Sequence, residues 1–124
     1  MAFGIQPDAS LIKPLEGAIV RRYTAGTSVT AGQVVAMQSD GKVDPADATS
    51  ATPTVVGVAV TGASDGDRLD VVAFGPISSA VEGTAGAAIY SSTTAGGMAT
   101  AAGSYGKIVG IMESAEILFV RPQL

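Results

Sequence analysis

The sequence predicts an all-β protein built as a small, glycine-rich β-barrel, and three observations support this fold class. Sixteen of the 124 residues are glycine, and a glycine inside a helix costs about 1 kcal/mol relative to alanine. Segments rich in Val, Ala and Thr alternate with turn residues, which is typical of short strands. Only three Phe, three Tyr and no Trp are present, so the core is expected to consist mainly of Val and Ala in thin layers. At this length we expect one domain.

Eight segments have strand character from residue 18 onward, each bounded by Gly, Pro, Asp or Ser. The predicted strands occupy residues 18–23, 33–38, 55–61, 68–74, 77–81, 87–91, 107–112 and 115–120. The sequence Ser39-Asp40-Gly41-Lys42 indicates a tight turn, because Gly accepts the positive φ that such turns require. The Phe74-Gly75-Pro76 sequence predicts a break between two strands. A short turn within residues 45–49 is the best candidate for a helix.

The region from residue 18 also contains an internal repeat. An Ala-Gly turn at Gly32 leads into a strand, a turn-rich excursion and a second strand with Gly57 at its centre. The same order recurs at Gly86 and Gly110, and the glycine separations are 57 − 32 = 25 and 110 − 86 = 24 positions. A glycine inside a Val/Ile strand marks a bulge, a bend or the close approach of another backbone. We therefore predict a two-fold pseudo-repeat, with two similar half-barrels on one core.

Residues 1–17 differ from the rest and predict an extended N-terminal arm, with residues 18–124 as the single β domain. Pro7 and Pro14 each remove an amide donor and favour extended backbone before them. Large apolar side chains occur without a period of 2 or 3.6, so the arm needs another surface to cover them. The predicted partner-binding residues are Phe3, Ile5, Leu11, Ile12 and Leu15.

The composition disfavours catalysis, metal binding and nucleic-acid binding. Without Cys or His, the chain has no disulfide, no zinc site of the usual kind and no His-based acid–base chemistry. The net charge is −4 and the seven basic residues are scattered, whereas nucleic-acid binders carry a basic stripe. The acidic segment 65–70 and Asp40, Asp44 and Asp47 are interpreted as turn residues. We therefore predict no enzyme, no catalytic or metal-binding residue and no cofactor.

The mean hydropathy of +0.40 is high for a chain with 15% charged residues. No apolar run approaches the ~20 residues needed to span a bilayer, so no membrane association is predicted. An apolar chain of this kind is expected to hide surface in an assembly, and we predict a homo-oligomer. The candidate interface residues, near the turns of the second half, are Ile77, Val81, Ile89 and Met98.

The order of these segments resembles a phage family that was once classed as a domain of unknown function and is sometimes mislabelled as a recombinase. The resemblance covers about residues 20–112. It is carried by five segments: Val29-Thr30-Ala31-Gly32-Gln33-Val34-Val35, Val56-Gly57-Val58-Ala59, Gly66 to Gly75 with Val71-Val72-Ala73-Phe74-Gly75, Gly86-Ala87-Ala88-Ile89-Tyr90, and Ile108-Val109-Gly110-Ile111. The sequence departs from many members in its Phe74-Gly75-Pro76 segment and its long apolar arm.

The resemblance implies a capsid decoration, or cement, protein with a β-tulip-like fold. Such a protein binds the outside of a bacteriophage head as a homotrimer and bridges subunits of the major capsid protein, which stabilises the capsid. Its location would be the outer capsid surface of the virion, after synthesis in the host cytoplasm. The alternative is a carbohydrate-binding β-domain of a tail fibre or secreted protein, for which Tyr23, Tyr90 and Tyr105 offer few aromatic platforms. A small trimeric enzyme using interfacial aspartates is a further alternative.

Overall fold

A computed structural model of the chain describes residues 13–49, 53–78, 84–114 and 116–122. Within these residues the protein is all β and contains no helix, which confirms the predicted fold class. The strands are β1 (Lys13–Pro14), β2 (Ile19–Thr24), β3 (Val34–Met37), β4 (Val43–Pro45), β5 (Val55–Ala59), β6 (Arg68–Ser78), β7 (Ala88–Ser91), β8 (Met98–Ala99), β9 (Ile108–Met112) and β10 (Ile117–Val120).

The strands form one curled antiparallel sheet in which β6 belongs to both halves of the molecule. The sheet order is β4-β3-β5-β6-β10-β9-β7-β8, and β1 and β2 pair with the other edge of β6. The first part of β6 pairs with β2 and β5, and its last four residues pair with β10. A parallel bridge between Ala25 and Val43 brings the end of β2 to β4, so the first half closes on itself as a barrel does.

The predicted internal repeat is present in the backbone hydrogen bonds. In the first half the Gly32 amide donates to the Ala59 carbonyl at 2.7 Å, and in the second half the Gly86 amide donates to the Met112 carbonyl at 2.8 Å. The pairs β3–β5 and β7–β9 each contain one register shift, and in both it lies between the second and third residues of the first strand. Each half therefore has the same turn, the same strand pair and the same bulge.

The central glycines of the repeat lie where two strands approach closely. A Cβ atom at Gly57 would overlap the Val72 carbonyl oxygen of β6, and a Cβ atom at Gly110 would overlap the Phe119 carbonyl oxygen of β10. The prediction that these glycines allow the close approach of another backbone is confirmed. Equivalent glycines thus allow the same close approach in each half, between β5 and β6 in the first and between β9 and β10 in the second.

The interior contains two clusters of small apolar side chains, which agrees with the predicted Val/Ala core. The first cluster spans both halves and includes Val34, Val58 and Val72 together with Ile77, Ile89, Met98, Val109, Met112, Leu118 and Val120. The second lies within the first half and consists of Ala25, Val29, Val35, Val43, Ala59, Leu69 and Val71. The first cluster joins the halves into one folding unit.

Three features of the strands differ from the prediction. The segment expected to break at Gly75 is one strand of 11 residues, because Gly75 takes a φ of +114° and lets Ala18 approach where a Cβ atom would be 2.6 Å from its Cα. The short strands β1, β4 and β8 were not predicted, since two or three residues carry no periodic pattern. The segment 45–49 contains no helical turn.

The boundary between arm and domain lies earlier than residue 18 in the described chain. Lys13 and Pro14 pair with Ser78 and Ile77 of β6, and the Leu15 amide donates to the Pro76 carbonyl at 3.0 Å. Leu15 is half-buried against this sheet rather than free. The other predicted partner-binding residues lie outside the part of the chain that is described: Phe3, Ile5, Leu11 and Ile12.

The predicted oligomer-interface residues require a correction. Ile77 and Ile89 are fully buried and Met98 is 4% exposed, and all three belong to the first core cluster. Their side chains fill the space between the two halves, so they cannot contact a second copy of the folded chain. Val81 lies outside the described residues. Any interface between copies must use other side chains.

Candidate docking surface

The most unusual surface feature is a row of apolar side chains across four neighbouring strands, which we call the apolar strip. It consists of Ile19 on β2, Phe74 on β6, Phe119 on β10 and Ile111 on β9. Ile19 is paired with Phe74, and Phe119 with Ile111. The two phenylalanine rings meet edge to face at 84°, with centroids 5.1 Å apart. The strip therefore runs continuously across the junction of the two halves.

The strip is exposed although its residues are large and apolar. Ile19 is 54% exposed, Phe74 43% and Ile111 41%, while Phe119 is half-buried. Side chains alternate between the two faces of a strand, and a face in contact with water normally carries polar residues. Contiguous exposed apolar patches mark sites of interaction. The strip is thus the best candidate for a docking surface.

A sequence signal for the strip existed in the predicted strand at 115–120. Leu118 and Val120 face the core, but Ile117 and Phe119 on the opposite face are also apolar and half-buried. A strand that is apolar on both faces is either covered on both sides or meets a partner. The sequence alone could not show that Phe119 and Phe74 are adjacent, because that depends on the β6–β10 pairing.

The strip continues onto β2, whose outer edge is open up to the Ala25–Val43 bridge that follows the strand. Among the described strands, β2 pairs only with β6. Four successive residues, Ile19 to Arg22, are exposed, so both faces of this strand contact solvent. Arg22 Nε lies 3.2 Å from Asp70 Oδ1, and the Arg21 guanidinium lies 5.8 Å from the centre of the Tyr23 ring. The strand therefore offers an apolar end and a basic end.

A second candidate is a polar cleft of about 650 Å³ beside β3 and β4. Its polar lining comes from Thr27, Ser28, Gln38, Asp44, Asp47 and Thr54. The Asp44 Oδ1 atom is buried without a hydrogen-bond partner among the described residues, at a point where a Cβ atom on Gly26 would overlap it. No described residue of the lining is aromatic or basic.

The carboxylate of Asp47 is held in its charged form. Hydrogen bonds from the Thr49 hydroxyl and then from the Thr49 amide lower the pKa of Asp47 below its usual value. The cleft thus contains carboxylates and hydroxyls, and its described lining has no Lys, His or Cys to activate a nucleophile. Across residues 13–49, 53–78, 84–114 and 116–122, no group of three or more Asp or Glu residues is arranged to hold a metal ion.

The residues singled out for other chemistry lie apart. Asp65 is in a tight turn, and the Asp67 amide donates to the Ser64 carbonyl at 2.9 Å, as expected for a hairpin connection. Tyr23, Tyr90 and Tyr105 belong to three different elements. In the described part of the chain the only stacked or edge-on ring pair is Phe74–Phe119. The tyrosines therefore do not form the stacked platform that a sugar site favours.

The fold and the apolar strip together define a duplicated all-β domain with an exposed apolar surface. Comparison with known proteins does not narrow this class, because the sequence matches no family model and no curated protein. The described part of the chain contains no helix long and apolar enough to cross a membrane.

Proposed function

We propose that this chain is a capsid decoration protein that binds the outside of a bacteriophage head and bridges subunits of the major capsid protein. It acts as a homotrimer and by binding alone, without a catalytic step or a cofactor. The resemblance of residues 20–112 to the phage family motivates the proposal. The duplicated all-β domain is compatible with a structural part that must be small and rigid.

The observation that carries the proposal is the apolar strip. Fully burying a large apolar side chain contributes roughly 1.5–3 kcal/mol, and the exposed parts of Ile19, Phe74 and Ile111 supply a share of this. A single strip gives only weak binding. Three copies held in one trimer raise the effective concentration of each contact, so that weak contacts sum to firm attachment.

The alternative, a carbohydrate-binding domain, receives less support. The polar cleft could present hydroxyl and carboxylate groups to a sugar, but its described lining lacks an aromatic ring. The exposed aromatic side chains lie elsewhere, on the strip and at Tyr105. A glycan array with the wild-type protein tests this reading, and specific binding to a sugar would favour it over capsid binding.

The decisive experiment compares binding to phage heads assembled without this protein. The double variant Phe74→Ser/Ile111→Ser should bind at least tenfold more weakly than wild type. Tyr105→Ser is the matched control, because Tyr105 is 39% exposed but lies in a turn outside the strip. Circular dichroism of both variants checks that the fold is retained. Unchanged capsid affinity of the double variant contradicts the role of the strip, and no binding by wild type contradicts the proposed function.

A further inference from the structure

We infer that the open edge of β2 receives an extended strand from a second copy of this chain, namely its N-terminal segment, residues 1–12. This would link copies by strand exchange between them. The inference concerns how the copies associate with one another, and it holds whether or not they bind a capsid.

The backbone of β2 is arranged to accept such a strand. The Ala25 amide donates to the Asp67 carbonyl at 2.8 Å. Inward and outward backbone groups alternate along an antiparallel strand. Counting back from Ala25 in steps of two, the N–H and C=O groups of Tyr23 and Arg21 also point to β6. Those of Val20 and Arg22 point outward. No described strand pairs with these outward groups, which leaves a template for strand addition.

The side chains at this edge select the occupant. Arg21 has no carboxylate within ion-pair distance among the described residues, and its neighbours Ile19 and Val20 are exposed and apolar. A second β2 strand is a poor partner, because antiparallel pairing would place arginines opposite one another. Residues 1–12 are complementary: they contain large apolar side chains and one charged residue, Asp8.

The position of Lys13 favours a second copy over the same chain. Lys13 pairs with Ser78 and the chain runs from there toward β2, so Lys13 lies at the end of this edge of β6 that is far from β2. To reach its own β2 the segment would have to reverse. A reversal at Pro7-Asp8, the strongest turn signal of the segment, would place residues 1–6 beside residues 9–14 and not beside β2.

A neighbouring copy imposes no such reversal. Twelve extended residues span up to about 40 Å, which is enough to cross from one small domain to the next. Donor and acceptor surfaces differ, so the contact is heterologous and closes into a ring when the rotation between copies permits. A closed ring of three copies satisfies every β2 edge.

The first test uses the absence of cysteine from the chain. Asp8→Cys and Arg21→Cys are purified separately and mixed under mild oxidation. The mixture should give a disulfide-linked dimer on a non-reducing gel, while each variant alone should give far less. No enrichment in the mixture overturns the inference.

The second test blocks the outward amide of β2. Val20→Pro removes an N–H group that its own sheet does not use, which an edge strand tolerates. It should leave the circular dichroism unchanged and raise the dissociation constant of the oligomer at least tenfold in sedimentation equilibrium, as should deletion of residues 1–12. Val20→Ala is the matched control and should associate like wild type. Undiminished association of the deleted chain, or a wild-type monomer at 100 micromolar, overturns the inference.

The third test exchanges the charges. Asp8→Lys alone and Arg21→Glu alone should each weaken association, and the two changes combined should restore most of it. If the effects of the two changes on the free energy of association simply add in this double-mutant cycle, Asp8 and Arg21 do not interact. That result also overturns the proposed occupant of the β2 edge. Arg68→Glu, a charge reversal at the start of β6, provides the control for net charge.

Discussion

The two central glycines, Gly57 and Gly110, determine how closely the strands of each half can curl. Both lie opposite a carbonyl oxygen of the next strand, and a methyl group in either place would overlap that oxygen. The backbone of β5 or β9 would have to move away from its neighbour. A side chain at either position would therefore weaken both the backbone hydrogen bonds and the core packing. For this reason a substitution there should destabilise the protein more than one at a turn glycine.

Gly110→Ala is expected to lower the free energy of unfolding by about 3 kcal/mol, at the upper end of ordinary overpacking costs. Gly66→Ala is the control, because nothing lies within 4 Å of its Cβ position and only its φ of +89° opposes alanine. The control should lose about 1–2 kcal/mol. Urea denaturation of both variants measures the difference, and equal losses would refute the importance of the close approach.

The side chain of Thr49 is expected to control the ionisation of Asp47. Thr49→Val removes the hydroxyl bond and should raise the pKa of Asp47 toward its usual value, while the Thr49 amide bond remains. Because the folded-state pKa is depressed, the stabilisation is present above the unfolded-state pKa, near 4, and is lost as the pH falls through the lower folded value. Carboxyl NMR titration of both proteins checks this, and an unchanged pKa would contradict it.

At the level of elements, the eight predicted strands fall on seven observed strands, because the segments 68–74 and 77–81 both belong to β6 as far as it is described, and β1, β4 and β8 were missed. Alternation and turn residues are local signals, so the strands they define could be predicted. The continuity of β6 through Gly75 and Pro76 depends on contacts with Ala18 and with β10, which are distant in sequence. Local sequence also gives Ile77 and Ile89 the same apolar character as Phe74, and only the pairing shows which of them is exposed.

Introducing a proline at Val72 and removing the proline at position 76 should have very different effects on stability. Val72 pairs with Val20 on one side and Val58 on the other, so Val72→Pro should prevent stable folding. Pro76 already lacks an amide and contributes its carbonyl, which accepts from the Leu15 amide, so Pro76→Ala keeps that bond and should change stability by less than about 1 kcal/mol. Thermal denaturation followed by circular dichroism compares them, and a folded Val72→Pro protein would show that β6 is less central than the pairing implies.

At the scale of the whole molecule, the shared strand and the shared core cluster should make unfolding a single event. Neither half has a complete sheet without β6, and the first cluster contains residues of both halves. Differential scanning calorimetry of monomeric protein should therefore give one transition, with calorimetric and van't Hoff enthalpies that agree. Two resolved transitions would show that the halves are independent.

Metal ions should leave this transition unchanged. Asp65 and Asp67 lie in a turn, Asp70 is paired with Arg22, and calcium needs six to eight oxygen ligands. Addition of either EDTA or millimolar calcium should shift the melting temperature by less than one degree. A calcium-dependent rise of several degrees would identify a site in this segment.

The place of β6 in the chain also governs how the protein folds as it leaves the ribosome. By Ser78 every strand of the first half has been synthesised, so that half can close before the second exists. The β7–β8 turn can then bond to the first half, where the Val34 amide donates to the Gly96 carbonyl at 2.9 Å. Strand pairing between β7 and β6 has to wait for β9 and β10, because the path along the sheet runs through both. A chain that lacks β10 should therefore leave one edge of β9 unpaired and open to aggregation.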